Sequence, residues 1–312
     1  MSDQDTHPSK FYELRSIYKY YIDSYNALYR LKTENEKELN KIYKMIKTEL
    51  IDSKIYPPKK IIEDILYIIP YNNRYAKSYL SLAKLLYDNY QVKETIHVPL
   101  PIRYLFYREY GIKLNKSDDF EKNKFENLDF LSEDTIYRVI MNNELERFIS
   151  FTERKGFNKN QTLRSELYPI YKDFSLLELC CYYGAVDCFK FLRTKFNSQT
   201  TPNCIYLSFL GGNPEIMSEC LKLAQIPDLI SYGKLWLSQS MMHAIISHNI
   251  DFVTFLMNEH NIEINLYWCG SYKNLESFLV YFDQTNDINA CFVFSTMFDI
   301  GCPKVRLAQR SI

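Results

Sequence analysis

The chain has 312 residues, 46% hydrophobic and 24% charged, with 38 basic and 38 acidic side chains that leave a net charge of +0. That balance suits a soluble globular protein with a sizeable core, and it excludes an overall basic field for nucleic acid or an anionic membrane. Only 8 Gly and 11 Pro, against 27 Tyr and 20 Phe, argue against a turn-rich sandwich or barrel and for an all-α fold with aromatic rings between its helices.

The first ten residues are polar and lack the basic start and apolar run of an export signal. No stretch approaches the ~20 apolar residues that span a bilayer. The expectation is an intracellular, cytoplasmic chain whose 8 cysteines are free thiols. Phe11, Leu14, Tyr18, Tyr21, Tyr25 and Leu28 alternate in steps of three and four, the stripe of a helix. Residues 33–38 are polar on all sides, and Leu39, Ile42, Ile46 and Leu50 restore the stripe, so the segment is one long helix with a solvated middle or two helices. Pro57 and Pro58 end it. Further helices are expected over 59–69, 75–87 and 102–110, the last closed by Gly111 in the left-handed conformation. Residues 115–127 are mostly polar and read as a linker, which makes 1–127 a Tyr-rich helical N-terminal module.

From 128 to 301 the rhythm changes to pairs of short helices split by a turn residue. The clearest pair, Ser175 to Leu192, resembles the ankyrin pattern: Ser175 stands at the capping Thr, Leu177 at the Leu, Cys180 at the Ala and Gly184 at the turn. Leu176 and Glu178 replace the Pro and His of that signature. Aligning four segments on the turn gives columns with a physical meaning. The turn is Asn143, Gly184, Gly212 and His248, residue types that tolerate positive φ. A small position in the first helix is Val139, Cys180, Ser208 and Ala244, and an apolar anchor is Ile136, Leu177, Ile205 and Met241. Glu146, Asp187, Glu215 and Asp251 open the second helices, where a carboxylate suits the helix dipole. Phe148, Phe189, Met217 and Val253 face inward two residues on. A fifth unit is expected over Leu275 to Phe298, with Asn286 near its turn. The fold class is therefore an all-α chain, a helical N-terminal module followed by an irregular ankyrin-like α-solenoid, and 302–312 is an irregular tail. An ordinary helical bundle with coincidental hairpins is the alternative.

Tyr71 to Tyr75, Ser175 to Leu192, Phe209 to Met217 and Ala244 to Asp251 resemble a large ankyrin-repeat family of flagellate protists. In that family a Tyr-rich helical module and a domain of unknown function precede regular repeats. The resemblance implies a binding role and no catalytic residues. Its departure is at the end, where Pro303 and a polar tail replace the expected next repeats.

The expected function is a non-catalytic protein–protein interaction scaffold, with an unidentified protein partner, no cofactor and no metal. The candidate contact residues are Arg138 and Asn142 in the first unit, Tyr182 and Tyr183 in the second and Leu210 in the third, because Tyr and Arg anchor interfaces. The competing reading packs the two tyrosines between repeats. No C-x-x-C pair, phosphate loop or G-x-S-x-G elbow is present. The alternatives are a thiol-dependent or metal-assisted enzyme built on the second-half cysteines, and a truncated remnant without a working partner.

Overall fold

The computed structural model describes residues 10–93, 95–122, 125, 128, 134–226 and 230–298. The tail at 302–312, Gly301 and part of the 115–127 linker lie outside the described residues. The described chain is mostly helical. It departs from all-α at one place, a two-residue antiparallel pair of strands, β1 (Thr162–Leu163) and β2 (Phe174–Ser175), between the first and second hairpins.

In the N-terminal module the long stripe breaks at Tyr18, giving α1 (Lys10–Ile17) and α2 (Lys19–Tyr29). The polar stretch is a true interruption, because Asn35 caps α3 (Glu36–Ile46) by accepting from the N–H groups of Lys37 and Glu38. A π-helical turn, Lys47–Asp52, follows. Pro58 opens α4 (Pro58–Tyr67) from the first helical position, where its missing donor costs nothing. Two 3-10 turns over Ile69–Tyr75 lead to α5 (Ala76–Tyr90), and α6 (Leu100–Tyr110) ends at Gly111 with φ 67°. Tyrosine hydroxyls join these pieces. Tyr79 donates to the Leu28 carbonyl and accepts from Asn72, and Tyr25 donates to Asp64.

The second half contains five hairpins: α7 (Ile136–Met141) with α8 (Leu145–Thr152), α9 (Leu176–Tyr183) with α10 (Val186–Phe196), α11 (Pro202–Gly211) with α12 (Pro214–Ala224), α13 (Ile230–Ile246) with α14 (Ile250–His260), and α15 (Leu266–Ser271) with α16 (Leu275–Thr285). A further helix, α17 (Ile288–Ser295), follows. First helices pack in chain order, α7 on α9, α9 on α11, α11 on α13, α13 on α15 and α15 on α17. The second helices make a parallel layer in which α8 meets α10, α10 meets α12 and α14 meets α16.

The aligned columns have one geometry. Asn143, Gly184, Gly212 and His248 all lie at positive φ, 56°, 66°, 68° and 51°. Every residue of the small, anchor and inward-facing columns is buried. The fifth unit is corrected: its turn is Lys273, at φ 57°, with Leu266, Cys269, Glu276 and Phe278 in the matching columns. Asn286, at φ 50°, ends α16 instead, as Asn197 and Asn261 end α10 and α14. Lysine carries no positive-φ signature, so this turn is invisible to residue-type reasoning.

Neighbouring units are tied at their caps. Ser175 and Glu178 form a capping box on α9, and the other Glu178 oxygen accepts from Thr201 and Asn203 at the start of α11. Asn143, besides making its own turn, accepts from the first N–H groups of α10 at Asp187 and Cys188. Gly184 and Gly211 bring two units together backbone to backbone: a Cβ on Gly211 would stand 2.1 Å from the Cys181 carbonyl oxygen. One buried core runs from Tyr18 to Phe298 through both halves.

Candidate functional site

The N-terminal module lies against the edge of the array where the hairpins turn. At the second unit, Tyr182 donates to the Pro70 carbonyl (2.8 Å) and accepts from the Asn73 N–H, while Tyr183 donates to Asn73 Oδ1 (2.7 Å). Asn73 Nδ2 donates to the Leu167 carbonyl, and the Tyr168 hydroxyl lies 2.8 Å from that of Tyr183. At the fourth unit, the Tyr29 ring stacks on His248 at 4.1 Å, and His248 Nδ1 lies 2.8 Å from Asn26 Oδ1. At the fifth, Arg15 Nε meets Glu276 Oε1 at 2.5 Å, the Tyr71 and Tyr272 hydroxyls lie 3.1 Å apart, and Tyr56 donates to the Phe298 carbonyl.

These contacts decide where the candidate contact residues stand. Tyr182 and Tyr183 are 4% and 6% exposed. They are packing residues, as the competing reading had it, but against the chain's own module and not simply between repeats. Burial pushes both hydroxyls well up from the usual tyrosine range. Leu210 is half-buried on the same edge. Arg138 folds back onto the Met141 sulfur at 2.9 Å, and exposed Asn142 donates to Glu144. The structure thus gathers Tyr182, Tyr183 and Leu210, and leaves Arg138 and Asn142 on the neighbouring unit.

The module does not seal the edge completely. A cleft of about 180 Å³ remains, walled on one side by Tyr29, Tyr71 and Tyr75 and on the other by Tyr182, Tyr183, Leu210 and the Gly211–Gly212 turn. Among the described residues its charged lining is Arg30, Lys32 and Arg74, and no carboxylate lines it. Arg30 follows the end of α2, Lys32 is two residues on, and Arg74 sits in the second 3-10 turn. Arg74 Nη2 donates to the Tyr183 carbonyl at 2.7 Å, and its guanidinium lies 5.6 Å from the Tyr183 ring centre. Its Nε is buried without a partner among the described residues. Sequence reasoning missed these three cations. The available signal was the Tyr71 to Tyr75 stretch, in which Arg74 has no acidic residue within four positions.

The cysteines offer a different environment. All seven described are buried. Burial pushes the Cys188 and Cys291 thiols up to about 12, and Cys180, Cys181 and Cys269 also rise. Cys181 and Cys220 lie 3.7 Å apart, and hydrogen bonds from Cys181 and Cys220 favour the thiolate of Cys204 over theirs. Among the described residues no group of three or more His, Cys, Asp or Glu is arranged to hold a metal ion. No described helix is long and apolar enough to cross a membrane.

No curated protein and no solved structure matches the chain. Residues 196–281, the stretch from the end of α10 into α16, match a family described as a domain of unknown function, DUF3447.

Proposed function

We propose that the chain is a non-catalytic scaffold of ankyrin type, an irregular α-solenoid that holds a protein partner. The observation that carries this reading is the five-fold repetition of one hairpin, with the same positive-φ turn and the same buried columns. Stacked hairpins of this kind form an extended surface that needs no special chemistry to bind. The module occupies the turn edge, so the partner's surface is the opposite edge, where first helices begin. Large apolar side chains are exposed there: Ile170 and Tyr171 before α9, Tyr232 and Leu235 at the start of α13, and Tyr267 at the start of α15. Burial raises the described thiols other than Cys204, and these lend no support to the thiol-enzyme alternative; Cys204, whose thiolate is favoured by Cys181 and Cys220, is buried as well and so screened from substrate.

The test is affinity capture from native extract with the wild-type chain and with a Tyr171→Ser, Leu235→Ser, Tyr267→Ser variant of unchanged melting temperature. The scaffold reading expects specific proteins with the wild type and their loss with the variant. Identical captured sets would remove this edge as the interface. A thiol that reacts rapidly at neutral pH with an alkylating reagent would reopen the enzyme reading.

A further inference from the structure

We propose that the cleft between the N-terminal module and the hairpin turns is a binding site for a phosphoryl oxyanion, the dianionic group of a phosphate monoester, held by Arg30, Lys32 and Arg74. The inference goes beyond the scaffold reading and does not depend on it, because the two use opposite edges of the array.

Charge pairing carries the first part of the argument. The chain is neutral overall, and several of its cations meet carboxylates. Arg103 meets Asp118 at 2.8 Å, Lys60 meets Asp64 at 3.0 Å, and Arg15 reaches the buried Glu276. Arg30, Lys32 and Arg74 line one cleft from two points of the chain, and among the described residues no carboxylate lines it. Like charges brought together without a counter-charge repel, more so beside low-dielectric walls, unless an anion joins them.

Geometry carries the second part. Arg74 is fixed in place: Nη2 is held by the Tyr183 carbonyl and the guanidinium by the Tyr183 ring. Its Nε–H is a donor buried without a partner among the described residues. A guanidinium with one edge anchored and a donor free is preorganised for an oxyanion, and an orphaned buried donor is satisfied when the anion arrives. Arg30 and Lys32 are exposed at the rim, where they draw an anion in and close over it. The cleft of about 180 Å³ has room for a phosphate group with ordered water. Its Tyr29, Tyr71 and Tyr75 wall gives an organic ester a surface to lie on.

The experiment is titration calorimetry of the full chain at low salt, with inorganic phosphate and phenyl phosphate as probes. Both are expected to saturate one site, with affinity falling as salt rises. Tighter binding of phenyl phosphate assigns the site to an ester, and equal or tighter binding of inorganic phosphate assigns it to the free ion. Arg30→Gln with Lys32→Gln removes two exposed charges that repel Arg74, so it is expected to leave the unliganded melting temperature no lower than that of the wild type and to weaken both probes at least tenfold. Arg74→Lys, which keeps the charge but loses the fork, is expected to weaken them as well. Absence of saturable binding by either probe below about 10 mM, a range that covers even weak sites, would overturn the proposal. So would unchanged affinity in the Arg30→Gln, Lys32→Gln variant.

Discussion

The hairpin array and the N-terminal module reach order by different means. In the array the same local devices return in each unit: a positive-φ turn, a small residue facing the neighbour and an acid at the second helix start. In the module no unit repeats, and the pieces are joined by tyrosine hydroxyls reaching across tens of residues, as from Tyr79 to Leu28 and from Tyr25 to Asp64. Array geometry is therefore encoded in residue types at fixed spacing. Module geometry is encoded in which distant groups find each other. Substitutions that touch only one kind of encoding separate the two.

The largest effect belongs to the array backbone. Gly211→Ala places a Cβ 2.1 Å from the Cys181 carbonyl oxygen and 2.6 Å from the Gly184 nitrogen. Denaturant unfolding is expected to show a loss of about 3 kcal/mol or more, since two backbones must separate. Gly111→Ala, in the module, meets open space and pays only its left-handed φ, about 1–2 kcal/mol. Equal losses at the two glycines would erase the distinction.

Hydroxyl deletion reverses the ranking. Tyr79→Phe orphans the Leu28 carbonyl and the Asn72 amide in the module, and is expected to cost about 2 kcal/mol. Tyr137→Phe in the array removes one exposed bond to the Thr162 carbonyl, and its effect on the melting curve should be the smaller.

Acid stability reports on the array core. Burial lowers His243 from 6.5 to about 4; its Nδ1 bonds to the Gln239 carbonyl, and its Nε2 is buried without a partner among the described residues. The folded pKa lies below the unfolded one, so the neutral ring's contribution is complete above pH ~6.5 and is lost as pH falls towards 4. By pH 5 the loss is about 2 kcal/mol. His243→Leu should reduce the slope of the stability profile between pH 7 and 5, with His248, lowered by burial to about 3, supplying the slope that remains, and an unchanged slope would assign it to other groups. Ser175→Ala, which opens the capping box of α9, follows at about 1 kcal/mol by the same unfolding assay.

The contrast also explains how much was legible in the sequence. The turns at Asn143, Gly184, Gly212 and His248 could be read because a left-handed residue restricts side-chain type. The turn at Lys273 could not, since lysine there obeys the geometry without advertising it. Neither could the fate of Tyr182 and Tyr183. An interface-prone tyrosine and a core tyrosine look alike until something covers them, and what covers them is Pro70 and Asn73, more than a hundred residues away. The three cations of the cleft were hidden for the same reason: their convergence is a property of docking, not of spacing.

Docking of the module on the turn edge is the central claim, and a double-mutant cycle between Asn73 and Tyr183 tests it most directly. Asn73→Ala, Tyr183→Phe and the double variant are compared with the wild type by denaturant unfolding. The account predicts a coupling of about 1–2 kcal/mol, as for contacting residues in one buried hydrogen-bond network. Losses that simply add would contradict it, because residues 110 apart in sequence couple only if the module and the turn edge touch.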